Sequence, residues 1–283
     1  MQNVHTHTWN QNLHFEAATV KETDLSRGHP IDLTVEFDAF MKDMEPFEKV
    51  VVFGLKGRLT GYWVPDDYVA DFVARAPQKL VGFASSDPAE ADYMDRLKHA
   101  FERLHLKGLK MGPVYAGFDP RDERLSRVYD YCQSNGFPVI FHSGTTFNYA
   151  APLEYSRPFL FDEVARRFPG LKIVLAHLGH PWCEECLVTI RKHPNMYADI
   201  SALYYRPWQF YNAMLAAQEY RVLHKLLFGT DYPFTKAQDS LNGVRNLNHV
   251  AAKSGLPRVS EAAIEEILAR DALALLGISG ISK

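Results

Sequence analysis

Val4-His5-Thr6-His7-Thr8 is a strand-sized run in which β-branched residues alternate with histidines. A spacing of two puts both imidazoles on one face of a strand. Seven further apolar, β-rich runs follow, at 49–55, 80–85, 108–112, 138–143, 173–178, 196–201 and 226–230. Between them lie stretches of helical periodicity at 33–45, 66–76, 88–104, 120–135, 158–168, 181–193, 207–222 and 238–254. A last helix is expected over 260–276, with the Ser260 hydroxyl capping it alone, because Ala263 cannot complete a reciprocal box. Strand and helix alternating with crossovers of this length imply a parallel sheet. Eight such units, with no Gly-rich phosphate loop after the first strand, predict a closed (β/α)8 TIM barrel rather than an open dinucleotide-binding sheet. The 283 residues suit one such domain over 1–283. The segment from Trp9 to Ile31 shows no clear helical pattern and is expected to be a long binding loop or lid.

Composition narrows the function. Hydrophobic residues make up 47% and charged residues 23%, with 31 basic and 34 acidic side chains for a net charge of -3. That balance leaves no basic stripe for nucleic acid and no polybasic membrane tail. No apolar run approaches the roughly 20 residues of a membrane helix. Met1-Gln2-Asn3-Val4-His5 lacks the basic start and apolar stretch of a signal peptide, so a cytoplasmic protein is expected. Cys132, Cys183 and Cys186 are too few for a disulfide framework. The Cys183/Cys186 pair has His180 and His193 nearby but no second ligand pair, and it reads as the first turns of a helix rather than a zinc or redox site.

The chemistry is concentrated where strands end, the active face of such barrels. His5 and His7 stand in the first strand, His142 closes Pro138-Val139-Ile140-Phe141-His142, and His177 closes Ile173-Val174-Leu175-Ala176-His177. Asp231 follows Leu226-Leu227-Phe228-Gly229-Thr230. Steps of two from Ile140, Leu175 and Leu227 turn His142, His177 and Asp231 inward. Inward barrel positions are ordinarily filled by branched aliphatics, and a lone histidine there reads as a hydrogen-bonded core residue. Four imidazoles and a carboxylate on one rim read instead as a metal site, suited to zinc and also to manganese, iron or cobalt. Beyond the rim, Trp9, Arg58, Tyr62, Trp63, Tyr115, Phe147, Tyr149, Tyr204, Tyr205 and Arg206 follow strand ends. Aromatic walls with arginines suit a ring-shaped substrate bearing a carboxylate.

These pieces, with Leu106-Lys107-Gly108-Leu109-Lys110-Met111, Phe141-His142-Ser143-Gly144, Ala176-His177-Leu178-Gly179 and Gly229-Thr230-Asp231-Tyr232-Pro233, resemble the amidohydrolase superfamily. The branch resembled is amidohydrolase-2, the aminocarboxymuconate-semialdehyde-decarboxylase-like proteins, and the resemblance extends to the end at 267–277. It implies that His5, His7, His142 and Asp231 hold one divalent ion, zinc foremost with manganese as the alternative, and that His177 stays off the metal and acts on substrate. Asn3 departs from the pattern, since relatives often carry an acidic residue before the H-x-H. Lys110 stands where some binuclear relatives carry a carbamylated lysine. The branch resembled favours one metal, leaving Lys110 to an internal ion pair or to a substrate carboxylate.

The expected reaction is hydrolysis of a C–O or C–N bond at a carbonyl, as in a lactone or amide. The metal would lower the pKa of water toward about 7 and polarise the carbonyl. Asp231 would take and return the proton, and His177 would donate to the developing oxyanion. Trp9, Arg58, Lys110, Tyr205 and Arg206 are the expected substrate contacts. The alternative is non-oxidative decarboxylation of an aromatic or unsaturated acid, with the same ligands and with His177 or Asp231 protonating carbon. A binding protein on a degenerate barrel would have lost a ligand, and none is missing. The expected partner is a small molecule, with neither nucleic acid nor membrane; a homo-oligomer is compatible with this reading.

Overall fold

The computed structural model describes residues 1–252 and 255–278. Eight parallel strands follow one another around the sheet: β1 (Gln2–His7), β2 (Lys49–Phe53), β3 (Leu80–Ser85), β4 (Leu109–Met111), β5 (Val139–Phe141), β6 (Ile173–Leu175), β7 (Met196–Asp199) and β8 (Leu226–Leu227). Backbone hydrogen bonds then close the ring. Val4 N–H donates to Phe228 O at 2.9 Å, and Asp231 N–H to His5 O at 2.9 Å. His7 N–H donates to Tyr232 O at 2.8 Å. The result is the expected TIM barrel.

Each strand carries two apolar faces because it is buried on both sides. Val51, Phe53, Val81, Phe83, Ile140, Val174 and Leu227 pack with one another inside the barrel. Val50, Val52, Leu80, Leu109, Val139, Ile173 and Leu226 pack outward against the helices. The helix Ala272–Leu275 brings Ala272 and Leu273 to the inner cluster, and Leu273 N–H donates to the Gln2 side chain at 2.8 Å. It closes the end opposite the histidines.

Most helices sit where periodicity places them. Ser260 does cap Glu261–Ala269, its Oγ accepting from Ala263 N–H at 3.3 Å, but the helix expected over 260–276 is interrupted at Arg270 and Asp271 before Ala272–Leu275. The expected helix over 238–254 appears as Ala237–Arg245 and a 3-10 segment Leu247–Ala251; residues 253 and 254, like the last five of the expected 1–283 domain, lie outside the described residues. The loop expected after Trp9 is not a loop. The segment after Trp9 is helical at Gln11–His14 and Ala17–Arg27. The second of these helices buries Thr19 and Thr23 rather than an aliphatic stripe, and Thr19 Oγ1 donates to Thr60 O at 2.6 Å. A helix anchored by threonines carries no apolar period to read.

The cysteines are free, and burial pushes the Cys183 thiol up to about 12 and that of Cys186 well above its ordinary value. Neither is a ready thiolate. Among the described residues, no helix is long and apolar enough to cross a membrane.

Candidate metal centre and cavity

Three local backbone devices bring the site together. In β1 the pairing with β2 slips between Asn3 and Thr6, as a bulge does. Val4 therefore packs inside the barrel while His5, the next residue, also faces inward, its ring 4.9 Å from that of Phe53. Asn3 ties this irregularity to β8: its Oδ1 accepts from His5 N–H at 3.2 Å and Thr230 N–H at 3.1 Å, and its Nδ2 donates to Thr230 Oγ1 at 3.0 Å. The departure at Asn3 is thus a strand staple. Gly229 makes room for the bulge, because a Cβ there would lie 2.6 Å from His5 Cβ.

His177 reaches the rim by a different route from the one its spacing suggests. Leu175 packs in the outer layer, and the inward residues of that stretch are Val174 and Ala176. Alternation would turn His177 away. Instead the backbone enters the left-handed region at His177 (φ 57°) and Leu178 (φ 50°), which swings the imidazole over the barrel mouth. Asp231 is likewise left-handed, at φ 64°. Non-glycine residues held there cluster at functional sites.

The side chains converge as follows. Asp231 Oδ1 lies 3.3 Å from both His5 Nε2 and His7 Nε2. One ligand atom from each of His5, His177 and Asp231 falls within 4.8 Å of the other two. The His142 ring is 5.0 Å from that of His177. Burial lowers all four imidazoles well below their ordinary range, aided for His5 and His142 by the Lys110 ammonium; His142 falls to about 3. Neutral imidazoles are the form that binds metal.

This donor set fits a divalent cation. His7 Nδ1 and His142 Nε2 are buried with no hydrogen-bond partner among the described residues. Leaving a buried polar atom unsatisfied costs about 1–3 kcal/mol. Imidazole nitrogens beside a buried carboxylate are an N/O set of the kind zinc or manganese takes. By proximity His177 belongs with His5 and Asp231, so the geometry alone does not hold it apart. Because the Ser201 hydroxyl donates to Asp199, its Oγ accepts from His177 Nδ1–H at 2.8 Å, which leaves the Nε2 lone pair free to bind a cation or to take a proton.

One organising residue has no counterpart among the sequence expectations. Asp199, fully buried at the end of β7, accepts from His5 Nδ1 at 2.8 Å through Oδ2. Its Oδ1 accepts from His177 N–H at 3.1 Å, Ser201 N–H at 3.0 Å and the Ser201 hydroxyl at 2.5 Å. Asp199 thus fixes the His5 tautomer, with the proton on Nδ1 and the Nε2 lone pair toward Asp231. Through Ser201 it also reaches His177.

Lys110 is buried, its Nζ 3.4 Å from His5 Nε2 and 4.8 Å from the Phe53 ring centre. Burial pulls the Lys110 ammonium below its ordinary value, against the pull of Asp199 and Asp231, and burial pushes the Asp231 carboxyl above the usual carboxylate range, against Lys110. The direct ion pair with Asp231 does not form within 4 Å among the described residues.

A cavity of about 590 Å³ opens over these groups, lined by His7, His142, His177, Asp231 and Lys110. It is large enough for a single-ring small molecule. Trp9 forms one wall, stacked on His7 at 4.3 Å and anchored by its Nε1–H to Leu33 O at 2.8 Å. Tyr62, Tyr115, Phe147, Tyr205 and Arg206 also line it. Arg58 does not. Its backbone N–H is pinned to Asp87 Oδ2 at 3.0 Å in a turn that folds back on itself. Its guanidinium, 62% exposed, lies on the Trp63 face at 4.3 Å and meets Glu90 at 3.4 Å. Trp63 and Tyr149 stand outside the cavity, and Tyr204 instead packs beneath it, donating to Gly229 O at 2.5 Å. Arg27, from the helix Ala17–Arg27, takes a place in the wall that no sequence signal gave it.

A TIM barrel with histidines and a carboxylate at its strand ends defines the class of metal-dependent barrel enzymes. Within that class, the chain matches the amidohydrolase family Amidohydro_2 over residues 3–278 and belongs to it. No curated protein matches the sequence significantly. Among solved structures, it is similar to an uncharacterised TIM-barrel protein of Bordetella bronchiseptica, at 21% identity and TM-score 0.73, covering 98% of this chain and 100% of that one. A probable 2-pyrone-4,6-dicarboxylic acid hydrolase of Acinetobacter baumannii, with citric acid bound, aligns at 15% identity and TM-score 0.68 over 98% of both chains. A dihydroxybenzoic acid decarboxylase of a Polaromonas species, with manganese and the inhibitor 2-nitroresorcinol, aligns at 15% and TM-score 0.64 over 98% of this chain and 96% of that one. At these identities the likeness shows the shared barrel.

Proposed function

We propose that the protein is a metal-dependent hydrolase that cleaves a C–O or C–N bond at a carbonyl, in a lactone or amide of a carboxylated, ring-type small molecule. The observation that carries this reading is the placement of Asp231, whose Oδ1 is shared by His5 Nε2 and His7 Nε2 at 3.3 Å and which also faces the cavity. His5, His7, His142 and Asp231 would hold one divalent ion, zinc or manganese, which polarises the carbonyl and acidifies a water when bound. Asp231 accepts the proton of the attacking water and returns it to the leaving group. His177, its Nδ1–H donating to Ser201 Oγ, presents the Nε2 lone pair to the cavity and, once it has taken a proton there, would donate to the carbonyl oxygen as that oxygen gains charge. Trp9 supplies a flat wall for the ring, and its burial keeps bulk water from that side.

A decarboxylase would use the same donors, and the resemblance to the Polaromonas enzyme's barrel keeps that reaction as the rival. Turnover in oxygen-18 water of a panel of lactones, amides and aromatic acids tests the proposal. Label in a product carboxylate is expected, and Asp231→Asn is expected to abolish it while retaining part of the metal affinity. Carbon dioxide release with solvent deuterium entering at carbon would assign the rival reaction.

A further inference from the structure

Among the described residues Arg27 makes no side-chain hydrogen bond or ion pair within 4 Å, and only its charge, which favours ionisation of Asp231, reaches an acidic group. Arg27 ends the helix Ala17–Arg27 and lines the cavity beside Asp231 and Phe234. Its guanidinium carbon is 5.2 Å from the Phe234 ring centre and 6.0 Å from that of Tyr205. Phe234 is itself held by its N–H to Asp231 O at 2.9 Å, so this contact sets Arg27 relative to the candidate metal centre. Among the described residues no carboxylate lies within 4 Å of the guanidinium, and its Nε is buried without a hydrogen-bond partner.

Arg206 approaches the same ring, with its guanidinium carbon 4.3 Å from the Tyr205 centre. One of its N–H groups donates to Ala202 O at 2.9 Å, and it too makes no ion pair among the described residues. Packing on a ring accounts for the guanidinium faces but leaves the in-plane N–H donors of the fork unspent. Among the described residues Asp231 is the only acidic side chain lining the cavity, and it is assigned to the candidate metal centre with His5 and His7. Two guanidinium forks on one wall, with Ala202 O as their one hydrogen-bond acceptor among the described residues, present their remaining donors to whatever fills the cavity.

We propose that Arg27 and Arg206, flanking Tyr205, form an anion clamp for a substrate carboxylate remote from the bond that reacts. This rests on the proposed reading of the cavity as the site of a carboxylated ring compound and adds where that carboxylate is held: at the end away from the histidines, by Arg27 and Arg206. A planar guanidinium fork matches a carboxylate with two parallel hydrogen bonds, a geometry that lysine cannot supply.

The test is calorimetric binding of two probes, benzoate and isophthalate, to the metal-loaded protein. The second carboxylate of isophthalate is expected to raise affinity about tenfold or more in the wild type, as charge-assisted bonds do. Arg27→Gln and Arg206→Gln should each weaken isophthalate severalfold more than benzoate, shrinking that ratio, while leaving bound metal unchanged. The clamp is overturned if the wild type binds both acids equally, or if both variants keep the wild-type ratio. Metal content and melting temperature of each variant establish that the fold is intact, and the two arginines test the clamp independently. The readout is a ratio of affinities rather than turnover. A protein that hydrolyses nothing yet shows the ratio would contradict the hydrolase reading and leave the clamp standing.

Discussion

Asp199→Asn is nearly isosteric, so what it changes is hydrogen-bond direction. Oδ1 of Asp199 serves three donors, His177 N–H, Ser201 N–H and the Ser201 hydroxyl, whereas Oδ2 serves His5 Nδ1 alone. The single amide oxygen of asparagine is therefore expected to keep the three-donor side. Its NH2 then faces His5, which must become an acceptor at Nδ1 and carry its proton on Nε2. That is the nitrogen 3.3 Å from Asp231, and protonation removes its lone pair from metal binding. The change also removes a charge-assisted hydrogen bond, which is worth about 1.5–3 kcal/mol. Loss of such an orienting partner typically weakens metal affinity by about 10–100-fold. Chelator competition with zinc is the assay, and it reads affinity without turnover. An Asp199→Asn affinity within about threefold of the wild type would refute the tautomer argument.

Two further outcomes follow from the same geometry. His177→Asn is expected to keep bound metal and lower turnover by about two to three orders of magnitude, the usual loss for one oxyanion donor; metal leaving with the imidazole would make His177 a ligand. Elsewhere on the surface, Lys192, His193 and Arg166 hydrogen-bond to Asp162 at 2.6, 2.8 and 3.2 Å. Burial works against ionisation of Asp162, but these donors outweigh it and hold the carboxyl down to about 2. A depressed carboxyl stabilises fully above its unfolded pKa of about 4 and loses that contribution as pH falls toward 2. Asp162→Asn should therefore melt with a shallower acid limb between those values, and parallel melting curves would exclude the linkage.

The barrel was readable because parallel strands buried on both faces are written as short β-branched runs, and Lys49–Phe53 and Ile173–Leu175 show this directly. The histidines and Asp231 were readable because polar residues closing such runs have no packing role to play. Legibility ended where geometry is set by backbone irregularity or by distant contacts. Strict alternation from Leu175 gives the wrong face for His177, whose left-handed turn carries no sequence mark beyond the glycine that follows. Asp199 ends a strand-like Met196-Tyr197-Ala198-Asp199 and meets His5 across 194 residues, a separation that no local pattern encodes. Arg27 sits on a helix whose buried face is threonine, so neither the helix nor its terminal arginine stood out. Arg58 was readable as a loop arginine, but its direction is decided by Asp87, Glu90 and Trp63.

Elemental analysis of the purified protein tests most directly the claim that His5, His7, His142 and Asp231 form a mononuclear metal centre. The account predicts about one divalent ion per chain, lost when His5→Ala and His7→Ala are combined. Two ions per chain with a carbamate on Lys110, or full metal retention in the double variant, would contradict it.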